Sequence, residues 1–167
     1  MVKDSIGRTW QLTTVQLDFN QPENFDMSYT GEDGSKHRPA ILHVAILGSV
    51  ERFMGILIEH YAGHFPLWLS PVLARVIAVG EKFQDYGEKI LAELKDVGLR
   101  AELAGSNETL GKRIRQAQVE KIPYVLVVGE EEATNGTVAT KLRGADLGKL
   151  SVKDLVEQMQ AEIKEKK

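Results

Sequence analysis

Arg52 is the residue whose type and surroundings most clearly suggest chemistry. It follows Gly48, Ser49 and Glu51 and directly precedes the apolar run FMGILI. A guanidinium is planar and permanently charged, so beside an apolar helix it can be held over an aromatic ring or a phosphate. The alternative is an exposed helix arginine paired with a nearby glutamate, which is a common and weak contact. The residue types alone leave both interpretations open.

Basic side chains are concentrated in two segments of the C-terminal half. Charges of this kind position a phosphate backbone, whereas the choice of a base needs directed hydrogen bonds. The alternative is a solvated basic face with no ligand. The residues alone leave both interpretations open; if they bind RNA, we expect weak, salt-sensitive binding through Lys112, Arg113, Arg115 and Lys121 in the first segment and Lys141 and Arg143 in the second.

Two other polar groups have simpler interpretations. His60 and His64 are four residues apart, a spacing that can place two metal ligands on one helix face. Gly63 lies between them and is expected to end the helix, so we expect two solvated histidines. The acidic run 130–132 is expected to be a solvated loop that repels RNA locally.

Length and composition limit the class of protein. The 167 residues carry a formal net charge of -3 and contain no cysteine, which excludes disulfides and cysteine-based zinc sites. A cysteine-free chain suits the reducing cytoplasm. The first ten residues lack the apolar core of a signal peptide, and the run 53–58 is too short to span a bilayer. We therefore expect a cytoplasmic, water-soluble protein with no membrane partner.

The N-terminal part combines strand patterns with one helix pattern. Residues 10–19 are rich in aromatic and β-branched types and predict a strand, and residues 25–29 are a candidate for a second. Residues 41–45 fit either a strand or a helix entry. Apolar residues recur at helical spacing from Ser49, and Gly63 is expected to end that helix. Prolines at 66 and 71 then predict an extended break in organisation.

The C-terminal part alternates strands and helices in the order βαβαββα. This order predicts a mostly parallel sheet covered by helices, with one antiparallel hairpin. Ser106 or Asn107 is the expected cap of the second helix, Asn135-Gly136 the expected hairpin turn, and Ser151 the cap of the last helix. The elements expected are strands at 73–79, 100–103, 124–129 and 137–143, and helices at 83–97, 107–117 and 152–163.

The segment AILGSVERFMGILIEHYAG resembles motif 3 of the class II aminoacyl-tRNA synthetases, whose core is a glycine followed by Glu-Arg-Phe. Four further stretches narrow this resemblance to the C-terminal part of the threonyl-tRNA synthetases, and it runs through nearly the whole chain. They are GRTWQLTTVQLDF, FDMSYTGEDGSKHRPAILHVAILGS, FPLWLSPV and LGKRIRQAQVEKIPYVLVVGEEE, followed by NGT.

The resemblance implies a fold and a division of the chain. Residues 1–70 would be a partial class II catalytic region, a remnant of the antiparallel catalytic sheet with the motif 3 helix. Residues 71–167 would be a mixed, mostly parallel α/β anticodon-binding domain. The implied partner is tRNA, and the implied parent reaction is the ATP-dependent threonylation of tRNA.

The resemblance also implies roles for individual residues. Arg52 matches the arginine that packs on the adenine of ATP, and Gln11 and Gln16 match positions near bound threonine and adenylate. His43 matches one of three zinc ligands, so it would be an orphan ligand here. The positions that match the RNA-facing region are Asn107, Lys112, Arg115, Lys141 and Arg143.

The departures from the family pattern lead to two functional hypotheses. Motifs 1 and 2 are absent from these residues, and Leu12, Val44 and Leu73 replace the usual cysteine, arginine and glutamine. The first hypothesis is a tRNA-binding fragment or truncated paralogue that lacks adenylation activity, and so needs neither ATP nor zinc. The second is a diverged or engineered structural scaffold. A further idea is a partner of another synthetase-like chain, because an unpaired sheet edge invites pairing.

Overall fold

The computed structural model describes residues 1–166, which form two compact units: Met1–Ala62, and a second unit that begins at Gly63. No helix in the described part of the chain is both long and apolar enough to cross a membrane. In chain order the elements are β1 (Val2–Lys3), β2 (Thr9–Trp10), β3 (Thr14–Asp18), α1 (Asn20–Asn24), β4 (Tyr29–Thr30), β5 (Lys36–His37), β6 (Ile41–Ala45), α2 (Val50–Tyr61), β7 (Ala74–Ala78), α3 (Gln84–Asp96), β8 (Ala101–Leu103), α4 (Leu110–Val119), β9 (Tyr124–Val128), α5 (Glu130–Asn135), β10 (Thr137–Leu142), β11 (Ala145–Ser151) and α6 (Val152–Glu165).

The first unit contains three separate two-stranded antiparallel sheets, β1–β2, β3–β6 and β4–β5. In the β3–β6 sheet, Val15 lies opposite Val44, and Leu17 lies opposite Leu42. Because side chains alternate between the two faces of a strand, these four share one face. All four are 59–64% exposed, so the described residues leave this apolar face uncovered.

The strand predicted over residues 10–19 is interrupted. Residues 11–13 connect β2 to β3 and belong to neither strand. In this segment Leu12 is buried, and the Thr13 hydroxyl donates to the Ile46 carbonyl at 2.7 Å. The strand predicted at 25–29 is also wrong for most of its length. Residues 25–27 instead turn back onto helix α1, because the N–H groups of Phe25, Asp26 and Met27 donate to carbonyls of that helix. The helix itself starts where the Asp18 carboxylate accepts from the N–H groups of Asn20 and Gln21, at 2.8 and 3.0 Å.

The second unit is built on a five-stranded mixed sheet in the order β11–β10–β9–β7–β8. Strand β7 is parallel to β8 and β9, whereas β10 is antiparallel to both of its neighbours, β9 and β11. Every residue of the central strand β7 is buried. Apolar side chains from α3 and α6 pack on this sheet with Leu67, Tyr124 and Leu126 to form the main core. The α/β fold predicted for this half is confirmed.

The predicted element order needs three corrections. Asn135 ends the short helix α5 and Gly136 is its left-handed C-cap, so these residues do not form a hairpin turn. The hairpin turn is Arg143-Gly144, which leads into the unpredicted strand β11. The run 130–132 is helical and not a loop, and Glu132 is buried, with its carboxylate accepting from the Gly129 N–H at 3.0 Å.

Two predicted helix starts have different outcomes. Helix α4 is capped by Thr109, whose hydroxyl accepts from the Lys112 N–H, and not by Ser106 or Asn107. Helix α6 is capped by Ser151 as predicted, since its hydroxyl accepts from the Asp154 N–H at 3.1 Å. The loop before α4 contains three residues that can cap a helix, Ser106, Asn107 and Thr109, and Thr109 is the one directly before the first helical residue.

Candidate nucleic-acid interface

A cationic pocket lies beside the β10–β11 hairpin in the second unit, and we call it the hairpin pocket. It has a volume of about 220 Å³. Basic groups form part of its wall, and apolar side chains of α4 and β9 form its floor. The lining residues are His64, Ile114, Gln118, Lys121, Ile122, Val125, Lys141, Arg143 and Gly144.

The hairpin turn places Arg143 at this pocket. Arg143 and Gly144 both have positive φ, +47° and +90°, as a two-residue type I′ hairpin turn requires. Arginine is unusual in that conformation, since only glycine adopts it without steric cost. The Arg143 N–H donates to the Pro123 carbonyl at 2.8 Å, which holds the turn against the start of β9.

A hydrogen-bond chain fixes the Arg143 side chain. Its guanidinium lies 3.4 Å from the carboxylate of Glu162 on α6. The Tyr124 hydroxyl donates to the same carboxylate at 3.0 Å and accepts from the Gln158 amide at 3.1 Å. Burial and the nearby Glu162 carboxylate raise the pKa of Tyr124 to about 12, so its hydroxyl stays protonated and keeps donating.

Two lysines complete the charged rim. Lys141 lies on β10, opposite Val125 of β9. Lys121 follows α4 with a φ of +60°, and its N–H donates to the Gln118 carbonyl at 3.1 Å. Among residues 1–166, neither lysine forms an ion pair, so both charges are available to an anionic ligand.

The other predicted RNA-facing residues lie on α4 or in the loop directly before it. Lys112 is exposed and pairs with Glu108 at 2.6 Å, and Arg115 is exposed on the same helix. Asn107 lines a different pocket between β8 and α4, which we call the β8–α4 pocket. The structure therefore divides the predicted RNA-binding residues between two pockets and the helix surface that separates them.

Sequence reasoning missed parts of both pockets. His64, expected to be merely solvated, is exposed but lines the hairpin pocket. Arg113, which the sequence places among the basic residues of α4, is only 6% exposed. The signal was its position, because Arg113 lies four residues before the buried Ala117 and so on the inward face of the helix.

In the first unit, Arg52 is engaged with the fold. Its guanidinium donates to the Gln11 carbonyl at 3.2 Å and lies 5.5 Å from the centre of the Trp10 ring. Ser49 caps α2 by accepting from the Arg52 N–H. Gly48 permits this arrangement, because a Cβ there would lie 2.7 Å from the Leu12 carbonyl oxygen. The structure thus brings Arg52 to the backbone of Gln11, over an aromatic plane.

Gln16 and His43 are cross-strand partners in the β3–β6 sheet, on the face opposite the apolar one. His43 Nε2 lies 3.0 Å from an Asp18 carboxylate oxygen. Hydrogen bonds from the Gln21 N–H and from His43 lower the pKa of Asp18. Within residues 1–166, no three His, Cys, Asp or Glu side chains are grouped to hold a metal ion. A catalytic zinc needs three protein ligands, so the described residues do not fit one.

Comparison with known proteins finds a family match for each unit. The model of the anticodon binding domain family matches residues 74–162. The model of the tRNA synthetase class II core domain (G, H, P, S and T) matches residues 1–61. The chain is 53% identical over 167 residues to the threonine–tRNA ligase of Carboxydothermus hydrogenoformans and 53% identical over 159 residues to that of Magnetococcus marinus. The first alignment covers 99% of this chain and 26% of the relative, and the second covers 95% and 24%. The chain therefore spans about a quarter of the length of these relatives.

A solved structure agrees with these matches. The chain superposes with a TM-score of 0.79 and 35% identity on a structure described as the RNA binding domain of threonyl-tRNA synthetase from Cryptosporidium parvum, covering 95% of this chain and 41% of that one. The resemblance to the C-terminal part of threonyl-tRNA synthetases is confirmed, and the scaffold alternative is not favoured. The model of the anticodon binding domain family matches more than half of the residues, and the chain therefore belongs to that family.

Proposed function

We propose that this chain binds the anticodon arm of threonine-specific tRNA through its second unit, in the cytoplasm. The observation that carries the proposal is the cationic rim of the hairpin pocket on a unit that matches the anticodon binding domain. The threonine–tRNA ligases among its relatives and the RNA-binding description of its structural neighbour support the choice of RNA.

The charge distribution supports a local contact over a global one. The whole chain carries a net charge of -3, so long-range attraction to a polyanion is absent. Lys121, Lys141 and Arg143 instead gather three positive charges around one pocket. Phosphates that approach this rim release counterions, and binding is then strongly salt-dependent.

The test is binding of the threonine tRNA anticodon stem-loop and an unrelated stem-loop at two salt concentrations. We expect Lys141→Ala and Lys121→Ala each to weaken binding several-fold and to reduce the slope of log K against log salt by about 0.7, the value for one single-strand phosphate contact. Lys153→Ala, an exposed lysine on α6, is the matched control and should change neither quantity. Equal binding of both RNAs, unaffected by either pocket variant, would show that the proposal is wrong.

We propose that this chain, by itself, does not catalyse the adenylation of threonine. Charge on a triphosphate in the transition state needs several cations placed together. Arg52 is the residue that matches an ATP contact, and its guanidinium already donates to the Gln11 carbonyl. The expected result is no threonine-dependent ATP–pyrophosphate exchange by the purified chain, and a signal above background would contradict it.

A second role is favoured by the uncovered apolar face of the β3–β6 sheet. We propose that this face packs against other parts of a class II synthetase core, because residues 1–61 match that core domain. The chain should bind a threonine–tRNA ligase truncated before the region that matches residue 1, and Leu17→Lys should abolish binding. Asp85→Lys, an exposed change in the second unit, is the control. Undiminished binding by Leu17→Lys would exclude this face.

A further inference from the structure

Arg143 is the cation of the hairpin pocket that already has a carboxylate partner. Its guanidinium lies 3.4 Å from the Glu162 carboxylate on α6. Among residues 1–166, the two rim lysines, Lys121 and Lys141, form no ion pair. The Arg143 side chain is 40% exposed and that of Glu162 is 15% exposed. One of the three positive charges at the rim is therefore partly neutralised by a residue of α6.

The two contacts of the Glu162 carboxylate differ in strength. The hydroxyl of Tyr124, a fully buried residue, donates to one carboxylate oxygen at 3.0 Å. The Arg143 guanidinium donates to the other at 3.4 Å, which is longer than the ~2.7–3.2 Å of an ordinary N–H···O hydrogen bond. Ion pairs that water can reach are also weak, because solvent screens the two charges. Glu162 can therefore release Arg143 and still keep its hydrogen bond to Tyr124.

The hairpin turn allows the Arg143 side chain to change partners while the backbone stays in place. The Arg143 N–H is held by the Pro123 carbonyl at 2.8 Å, and the strands on either side of the turn pair with each other. The side chain itself rotates about single bonds, and it already lines the hairpin pocket. An exchange of partners is therefore a change of side-chain rotamer and leaves the hairpin intact.

A phosphate group is a stronger partner for Arg143 than the carboxylate it has. A guanidinium binds a phosphate through two parallel hydrogen bonds, whereas Glu162 offers one long contact. A phosphate at this rim also meets the charges of Lys121 and Lys141. We propose that Glu162 competes with an RNA phosphate for Arg143, so that helix α6 limits how tightly the hairpin pocket holds RNA. This inference rests on the proposed RNA binding and adds a regulatory contact to it.

The experiment is Glu162→Gln in the full chain, with the threonine tRNA anticodon stem-loop as the probe. The glutamine oxygen can still accept from the Tyr124 hydroxyl, but the negative charge beside Arg143 is gone. Binding at low salt should tighten about 2- to 5-fold, the size of one exposed ion pair. A phosphate then displaces counterions from Arg143 where it displaced a carboxylate in the wild type. The slope of log K against log salt should therefore steepen by up to about 0.7.

Two further variants separate this contact from a general effect of charge. In an Arg143→Ala background, adding Glu162→Gln should change neither the affinity nor the salt slope, because the contested group is absent. Asp146→Asn is the matched control, since Asp146 is exposed on β11 opposite Lys141. Its replacement can still accept from the Gly148 N–H, a hydrogen bond of 2.7 Å. Any gain from Asp146→Asn should be equal in the wild type and in Arg143→Ala.

The outcomes distinguish this inference from the proposed function. Unchanged or weaker binding by a folded Glu162→Gln chain would overturn the competition and leave RNA binding in place. A gain that persists in Arg143→Ala would show a general charge effect and would also overturn it. If Glu162→Gln fails to fold, Glu162→Asp, whose carboxylate lies one methylene further back, should tighten binding by a smaller factor, and no gain there would count against the competition. No binding by the wild type would overturn the proposed function itself.

Discussion

The two units differ in how they bury apolar side chains. In the second unit, β7 is buried along its whole length and lies in a core of Leu, Val, Ile, Tyr and Met side chains from both sides of the sheet. Among the described residues of the first unit, Leu12 and Pro22 are the buried apolar ones. The second unit thus has the core of an independent domain, whereas the first presents apolar surface of the kind that packs against further structure.

The family matches follow the same division. The unit with its own core carries a match to the anticodon binding domain, and the unit with the open face carries a match to a class II core. Stability and RNA binding should therefore depend on the second unit, and substitutions in the first unit should have small effects on the isolated chain.

The largest expected difference is in core substitutions. Leu126→Ala, at a fully buried site on β9, should lower the free energy of unfolding by about 3 kcal/mol, since it loses apolar burial and leaves a cavity. Leu17→Ala, at a site that is 60% exposed, should cost less than about 0.5 kcal/mol. Urea unfolding followed by circular dichroism measures both. Similar losses would show that the apolar face of β3–β6 is covered in solution.

A smaller effect is expected from the buried hydroxyl of the second unit. Tyr124→Phe removes its hydrogen bonds to Glu162 and Gln158 and should cost about 1–2 kcal/mol at neutral pH. The pKa of Tyr124 is raised to about 12, above the ~10 of an unfolded tyrosine. The stabilisation is therefore complete below about pH 10 and is lost as the pH rises through about 12.

Alkaline unfolding of the two chains tests this linkage. The wild type should lose stability between about pH 10 and 12, and Tyr124→Phe should lose less over that range. Tyr29→Phe, at a site that is 54% exposed in the first unit, is the control and should behave as the wild type. An equal alkaline loss in all three chains would mean that Tyr124 does not govern this transition.

The smallest expected effect is an acid-dependent change within the first unit. Burial opposes the charge of Asp4, but hydrogen bonds from Trp10 and Arg8 outweigh it and lower the pKa of Asp4 to about 2. Since the folded pKa lies below the unfolded ~3.9, the contribution is present above pH 4 and is lost as the pH falls through about 2. Asp4→Asn should remove this acid-dependent loss.

Tryptophan fluorescence reports the change locally. The chain has two tryptophans, so in a Trp68→Phe background the signal comes from Trp10, whose indole donates to Asp4 at 2.9 Å. The acid transition of this signal should vanish in Asp4→Asn and persist in Asp85→Asn, which alters an exposed residue of α3. A transition that survives in Asp4→Asn would assign it to another group.

The sequence predicted the buried framework of the second unit and missed its edge. Apolar runs mark β7 and β9 because both faces of these strands are covered. Strand β11 contains Ala145, Asp146 and Gly148 and is mostly exposed, so it lacks an apolar pattern. Its register is set by the hairpin turn and by a bulge after Thr140, and neither feature is encoded in hydrophobic periodicity.

The site was predicted in part for a similar reason. Residue type placed basic side chains near the RNA-facing region, but direction along a helix decides which of them reach the surface. Lys112 and Arg113 are adjacent in sequence, yet the first is exposed and the second buried. Asn135-Gly136 matches the preferred hairpin pair, and Arg143-Gly144 forms the turn because the strands on either side of it pair. Tertiary contacts decide both cases.

The central place of β7 in the sheet has a consequence for biosynthesis. Its register joins Ala74 to Ala101 on one side and to Tyr124 on the other, and both partners come later in the chain. During translation β7 therefore leaves the ribosome first and stays unpaired until α3, β8, α4 and β9 have followed. The nascent apolar strand must be shielded over that interval, so stalling synthesis after β7 has emerged from the ribosome but before β9 has emerged should promote aggregation more than stalling after both have emerged.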